Sequence, residues 1–219
     1  MASADRRYVP ALGYHWLTPV YDLTVAAATR EGRWRTALIG AIDPQPGDVI
    51  LDIGCGTGTL AARVKRLQPD AHVIGLDPDP AILHRARAKA ARAGVAVDFV
   101  NGLGGEAARL LAGAGITKVT SSLVLHQVPL AGKRATLEAA FAVLPPGGRL
   151  HIADFGLQRG VMRLVFKMTQ MLDGFQVTQP NADGVLPALM GEAGFVDVAE
   201  SLVVPTVAGS ISLYRARKP

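Results

Sequence analysis

Three glycines at every second position, Gly54, Gly56 and Gly58, follow an apolar run, Val49–Ile53, that carries one carboxylate, Asp52. Glycine at this spacing lets the chain turn sharply and lets a ligand touch bare backbone. Residues 60–64 then read as a helix start, whose first N–H groups and dipole favour an anionic group on that ligand. Asp52 beside the loop suits a ligand with a positive amine better than a pyrophosphate. A dinucleotide-binding loop would need its third glycine at position 59, where this chain has Thr59. Asp77, followed by Pro78, lies nineteen residues past Gly58. A right-handed strand–helix–strand unit brings that carboxylate beside the loop, where it can accept hydrogen bonds from two vicinal ribose hydroxyls.

The elements that must position these residues alternate along the chain. Strand 49–53 and the glycine loop lead to a helix over 60–67, a strand from 71 to Asp77 and a helix over 81–93 that stops at Gly94. A third strand, 95–100, delivers Asn101 and Gly102. A short helix over 104–112 precedes the fourth strand, 117–123, and a helix follows over 133–144. The turn Pro145-Pro146-Gly147-Gly148 opens a fifth strand that ends at Asp154. Helices over 161–175 and 183–193 come next, then strands 195–205 and 210–217 as an antiparallel hairpin. The expected fold class is α/β, a mostly parallel sheet with helices on both faces and an antiparallel end. Ligands of such sheets bind outside the carboxyl ends of the strands, where strand order reverses. First and fourth strands should flank that reversal, so Ser121, Ser122 and His126 should face the ligand. Asp154 shares the rim with Asp52 and Asp77 and reads as a substrate contact or, preferably, as a cap for the next helix. Apolar residues at 161, 165, 168, 172 and 175 form one helical stripe, which reads as core packing or as a pocket wall. Residues 6–40 read as partly helical, with an aromatic patch over 14–22 broken by Pro19.

The bulk properties fit a globular chain with one domain over 1–219. It has 219 residues, 49% hydrophobic and 19% charged. The net charge of +5 is split among separate clusters with no interleaved aromatics, which argues against nucleic acid as a partner and leaves peripheral contact with anionic membrane open. No apolar run is long enough to span a membrane and no signal-peptide core is present, so a cytoplasmic location is expected. One cysteine, Cys55, precludes an internal disulfide, and the five scattered histidines offer no metal motif, so no metal is expected.

The glycine loop with Asp52, Asp77, the Ser121-Ser122-Leu123-Val124-Leu125-His126 segment and the Pro-Gly-Gly strand entry resembles the class I S-adenosylmethionine-dependent methyltransferases. The likeness is greatest to the ubiquinone/menaquinone-biosynthesis C-methyltransferase-like group. It implies a seven-stranded Rossmann-like sheet and S-adenosylmethionine as cofactor, held by Tyr21, Asp52, Gly54, Cys55, Gly56, Gly58, Asp77, Pro78, Asn101, Gly102, Ser121 and Ser122. Asn101 stands where many relatives carry an acidic residue on the adenine, so only its amide oxygen is left to accept there. His126 is the candidate catalytic residue, orienting or deprotonating an acceptor. Residues 1–40 would form an N-terminal helical flap and 156–194 a helical lid over a small, hydrophobic acceptor: a quinone precursor, a lipid amine or a secondary metabolite. Two alternatives stay open at this level, an NAD(P)-dependent oxidoreductase and a non-catalytic S-adenosylmethionine-binding module. The acceptor atom and the oligomeric state are not legible.

Overall fold

The computed structural model describes residues 30–219. A seven-stranded sheet runs in the order β3-β2-β1-β4-β5-β7-β6. Its strands are β1 Val49–Ile53, β2 His72–Asp77, β3 Asp98–Asn101, β4 Lys118–Ser122, β5 Arg149–Phe155, β6 Val196–Thr206 and β7 Gly209–Arg217. The first five pair in parallel, while β7 pairs antiparallel with both β5 and β6. The helices are α1 Glu31–Ile42, α2 Thr59–Leu67, α3 Pro80–Arg92, α4 Ala107–Leu110, α5 Leu130–Val143, α6 Gly160–Asp173, α7 Phe175–Ala182 and α8 Leu186–Glu192.

Alternation along the strands divides the core in two. Leu51 and Ile53 of β1, Val119 of β4 and Leu150 and Ile152 of β5 face a cluster completed by α5 and α8. Ile50, Val73, Ala153 and Phe155 face the other side, where Trp34 and Leu38 of α1, Leu60 and Val64 of α2 and Phe166 of α6 close the layer. Near-continuous apolar strands are what a parallel sheet covered on both faces demands.

Two local features aim the site. Asp79 accepts from the N–H groups of Ala81 and Ile82 at 2.8 and 3.3 Å and Pro80 opens α3, so Asp79, not Asp77, caps that helix. At the other end of the sheet, Lys118 at the start of β4 donates to the Asp43 carbonyl just past α1 at 2.7 Å. The last turn of α1 therefore lies at the amino ends of the strands. The helix, about 18 Å long, runs back along them and brings its first turn toward the carboxyl rim.

Three expectations need correction. The segment 104–112 is a 3₁₀ turn, Gly104–Glu106, followed by one turn of α4, because Gly104 and Gly105 lie tight against Thr136 and Ala135 of α5. Strand β3 starts at Asp98 rather than 95, and an unforeseen helix, α7, follows Gly174, whose φ of 97° ends α6. Of the stripe at 161, 165, 168, 172 and 175 only Val165 is half-buried: Leu172 is 75% and Met168 64% exposed, and Val161 and Phe175 are exposed too. The opposite side of α6 is buried instead. Phe166 packs on Phe155 at 4.9 Å, Thr169 donates to the Ala208 carbonyl at 2.7 Å, and Gln170 donates to Gln179 of α7 at 2.9 Å. Those polar groups can be buried because each finds a partner.

Candidate active site

The glycine loop closes over the end of β2. The N–H groups of Gly54 and Cys55 both donate to the Leu76 carbonyl, at 2.7 and 3.1 Å, and Gly56 donates to Asp77 Oδ2 at 3.0 Å. All three loop glycines have positive φ, yet they serve different ends. A β-carbon on Gly54 would lie 2.3 Å from a methyl of Val124, and one on Gly58 would lie 2.9 Å from the Phe99 ring. Gly54 and Gly58 are therefore required by the protein's own packing. A β-carbon on Gly56 would meet nothing within 4 Å, so Gly56 alone opens toward the crevice.

Two carboxylates flank this opening. Asp52 is buried, and neither oxygen has a hydrogen-bond partner among the described residues. Burial pushes its carboxyl up to about 7; Arg35 of α1 opposes that shift and Asp77 adds to it. An orphaned buried carboxylate asks for a cationic partner. Asp77 is also raised, by burial, against the N–H bonds it accepts from Asp79 and Gly56. Each of its oxygens holds one backbone N–H, leaving further lone pairs on the rim. Next to it, Asn101 donates through Nδ2 to the Asp77 carbonyl at 3.1 Å, so its amide oxygen points elsewhere and stays an acceptor.

The remaining expected residues fall as follows. Cys55 is buried and its thiol is pushed up by burial and by Asp52 and Asp77, so it is inert as a nucleophile. Pro78 and Gly102 border Asp77 and Asn101, and a β-carbon on Gly102 would collide with Leu110. Ser121 donates to the Ile53 carbonyl at 2.9 Å, tying β4 to β1, whereas Ser122 is half-buried at the strand end. Tyr21 lies outside the described residues.

Past β4 the backbone is bent. Leu123 has φ 55°, an uncommon conformation for a branched side chain, and the 3₁₀ turn Leu125–Gln127 follows. Asp154 organises this turn, and the cap expected for α6 is not its role. Its Oδ2 accepts from Val124 and Leu125 N–H at 3.0 and 2.7 Å, and its Oδ1 accepts from Phe155 N–H at 2.8 Å. Oδ1 also meets His126 Nδ1 at 2.7 Å. The other imidazole nitrogen faces Asp173, the last residue of α6, at 3.5 Å. Burial alone would lower the His126 pKa, but Asp154 and Asp173 outweigh it and hold the ring at about 9. His126 is thus an imidazolium at neutral pH, a donor on both sides.

Four residues outside the sequence-based site belong to this region: Arg35, Lys89, Lys133 and Asp173. Arg35 binds Glu31 at 2.8 Å and stacks over Trp34 at 4.9 Å. Lys89 of α3 donates to Thr57 and Thr59 in the glycine loop at 2.6 and 2.8 Å and so ties that helix to the loop. Lys133, fully buried in α5, donates to the carbonyls of Leu125 and Val177 and pins the 3₁₀ turn to α7. Burial lowers its pKa to about 8, opposed by Asp154. Lys133 sits only seven residues past His126, but spacing alone did not mark it; a lysine on the apolar side of a helix was the available signal. A shallow depression at the amino ends of the strands, lined by Asp43, Asp48, Lys118 and Arg149, is on the wrong side of the sheet. There Lys118 is already paired with Asp48 at 2.6 Å.

Residues 50–148 match the model of a methyltransferase domain family. A demethylmenaquinone methyltransferase of Thermus thermophilus is 30% identical over 179 residues, 80% of this chain and 77% of that protein. The chain belongs to the class I S-adenosylmethionine-dependent methyltransferases. An uncharacterized methyltransferase of Mycobacterium tuberculosis is 32% identical over 131 residues, 58% of this chain and 62% of that protein, so the match spans less than two thirds of that relative. An O-methyltransferase family protein from Burkholderia thailandensis shares the fold at a TM-score of 0.71 and 17% identity, over 93% of this chain and 60% of the other.

S-adenosylmethionine is the cofactor of this family, and the residues present fit it. The orphaned Asp52 carboxylate would suit an amine, open Gly56 leaves room for a nucleoside against backbone, and Asp77 and Asn101 have acceptors that would suit ribose hydroxyls and an adenine amino group. Among the described residues no group of three or more His, Cys, Asp or Glu side chains is placed to hold a metal, and no helix is long and apolar enough to cross a membrane.

Proposed function

We propose that this methyltransferase methylates a small apolar acceptor of quinone-precursor type. The observation that carries the donor half is the pairing of orphaned Asp52 with open Gly56 beside Asp77. The acceptor half is supported by the likeness to a protein named demethylmenaquinone methyltransferase, and residues 156–194 are read as a lid over the rim.

When bound, S-adenosylmethionine supplies a methyl group already activated by a positive sulfur, so little is asked of the side chains. Asp52 would hold the amine and Asp77 the ribose, both on the rim that the end of β4 also reaches. His126 lies at that end with Nε2 turned toward α6. At 3.5 Å from Asp173 this is the looser of its two contacts, and because the ring is only 3% exposed an acceptor oxygen takes that donor by displacing Asp173. Held as imidazolium by two carboxylates, the ring serves near neutral pH to orient the acceptor as a donor. The segment 156–194 excludes water.

The test is calorimetry of S-adenosylhomocysteine with the wild type, followed by turnover of a demethylated quinone with labelled S-adenosylmethionine. Micromolar binding with label transfer supports the reading. No binding of the nucleoside defeats it, and binding without transfer to any quinone defeats the acceptor assignment.

A further inference from the structure

The outer side of α6 lacks a partner among the described residues. Val161, Leu164, Met168 and Met171, with Phe175 at the start of α7, recur at steps of three and four, and Leu172 lies beside them; all six are exposed. No charged residue interrupts this stripe. Lys167 flanks it and Arg159 precedes it, both exposed; Arg163 lies on the same border and also holds Asp183 at 2.7 Å. The acidic residue of the helix, Asp173, turns inward to His126. The helix is thus apolar on its solvent side and basic along one border.

We propose that α6 seats the protein on an anionic lipid surface, its apolar side sunk among the acyl chains near the headgroups and its basic border against lipid phosphates. The pattern is that of an in-plane interfacial helix: a continuous apolar face, Phe and Leu among its residues, and Lys and Arg at the edge. Charge complementarity favours lipid over an acidic protein groove because the apolar stripe and the basic border share one short helix. Size argues against a second copy of the chain. Fourteen residues make a helix about 21 Å long and ~10 Å wide, roughly 200 Å² of footprint, against about 800 Å² per partner in a stable interface. The helix also ends at Asp173 against His126, so a surface gripped by α6 would lie at the lip of the crevice. The inference goes beyond the methyl-transfer reading and stands on α6 itself.

The experiment is co-sedimentation of the full chain with vesicles of phosphatidylcholine alone and of phosphatidylcholine with phosphatidylglycerol. The wild type should bind the anionic vesicles, more weakly at high salt. Lys167→Glu should lower the partition coefficient roughly tenfold or more, since one basic residue near a charged surface contributes about fivefold in binding constant and the change reverses the charge. Leu172→Glu and Met168→Glu should abolish binding. S-adenosylhomocysteine affinity, measured on each variant, should stay at the wild-type value and so report an intact fold. Absence of wild-type binding overturns the proposal, as do variants that sediment like the wild type. A wild-type dimer that Met168→Glu converts to monomer also overturns it, by assigning the face to a second copy. Failure to bind S-adenosylhomocysteine would defeat the methyltransferase reading instead, and the vesicle result would still decide this one.

Discussion

His126 and Asp154 meet at 2.7 Å across the ends of β4 and β5, and the same carboxylate accepts the N–H groups of Val124 and Leu125 that lead into the histidine's turn. One side chain thus sets both where the imidazole stands and what charge it carries. The folded state holds that proton to about pH 9, whereas an unfolded histidine releases it near 6.5. The stabilisation is complete below about 6.5 and disappears as pH rises through 9. Urea unfolding of the wild type should lose about 2–3 kcal/mol over that window. His126→Gln should remove this slope, and an unchanged slope would mean the proton is held elsewhere.

Asp154→Ala should cost about 3–5 kcal/mol, because it strands a buried cation and two N–H groups at once. Thermal or urea unfolding measures this. If His126→Gln is made first, the further cost of Asp154→Ala should fall, since the two act as a pair.

Asp52 works in the other direction. Its folded pKa of about 7 lies above the ordinary 3.8, so the empty fold is penalised as pH rises from 4, fully so above 7. Asp52→Asn should leave stability at pH 4 unchanged and raise it on the order of 2–4 kcal/mol at pH 8. The same change should weaken S-adenosylhomocysteine by about 1–3 kcal/mol. A variant less stable at pH 8 would mean the carboxylate has a partner in the free protein.

The two ends of the loop separate folding from binding. Gly54→Ala forces a methyl group into Val124 and should lower the melting temperature sharply. Gly56→Ala meets only open space, so its stability cost should be limited to about 1–2 kcal/mol of left-handed backbone strain, while nucleoside affinity drops at least tenfold. Calorimetry and thermal melts of the pair should show opposite ranks.

Asp77→Ala should cost about 1–3 kcal/mol of nucleoside affinity through lost charged hydrogen bonds. Equal affinity by calorimetry would release Asp77 from the ribose.

What was legible in the sequence was whatever local chemistry dictates. The apolar run into Gly54-Cys55-Gly56, the helix stop at Gly94 and the turn at Gly147-Gly148 each force a backbone choice, and the strand order follows from connection rules. The partner of a side chain is not local. Asp154 read as a cap because a carboxylate after a strand and before a helix has that use; only its approach to β4 shows it holding His126. The α6 stripe misled for a related reason. Two apolar rows share that helix, and periodicity does not say which one meets the sheet. Thr169 and Gln170 sit on the packed side because Ala208 and Gln179, distant or across a break, receive them.

The placement of the last strand's exit bears on how the molecule can be handled. Residue 30 emerges by the crevice, whereas Lys218 is fastened at the far end of the sheet, by exchange with Gly147 and Gly148 and by its Nζ on the Phe141 and Leu144 carbonyls. A fluorophore, affinity handle or surface tether joined behind Pro219 is therefore held away from the ligand entrance.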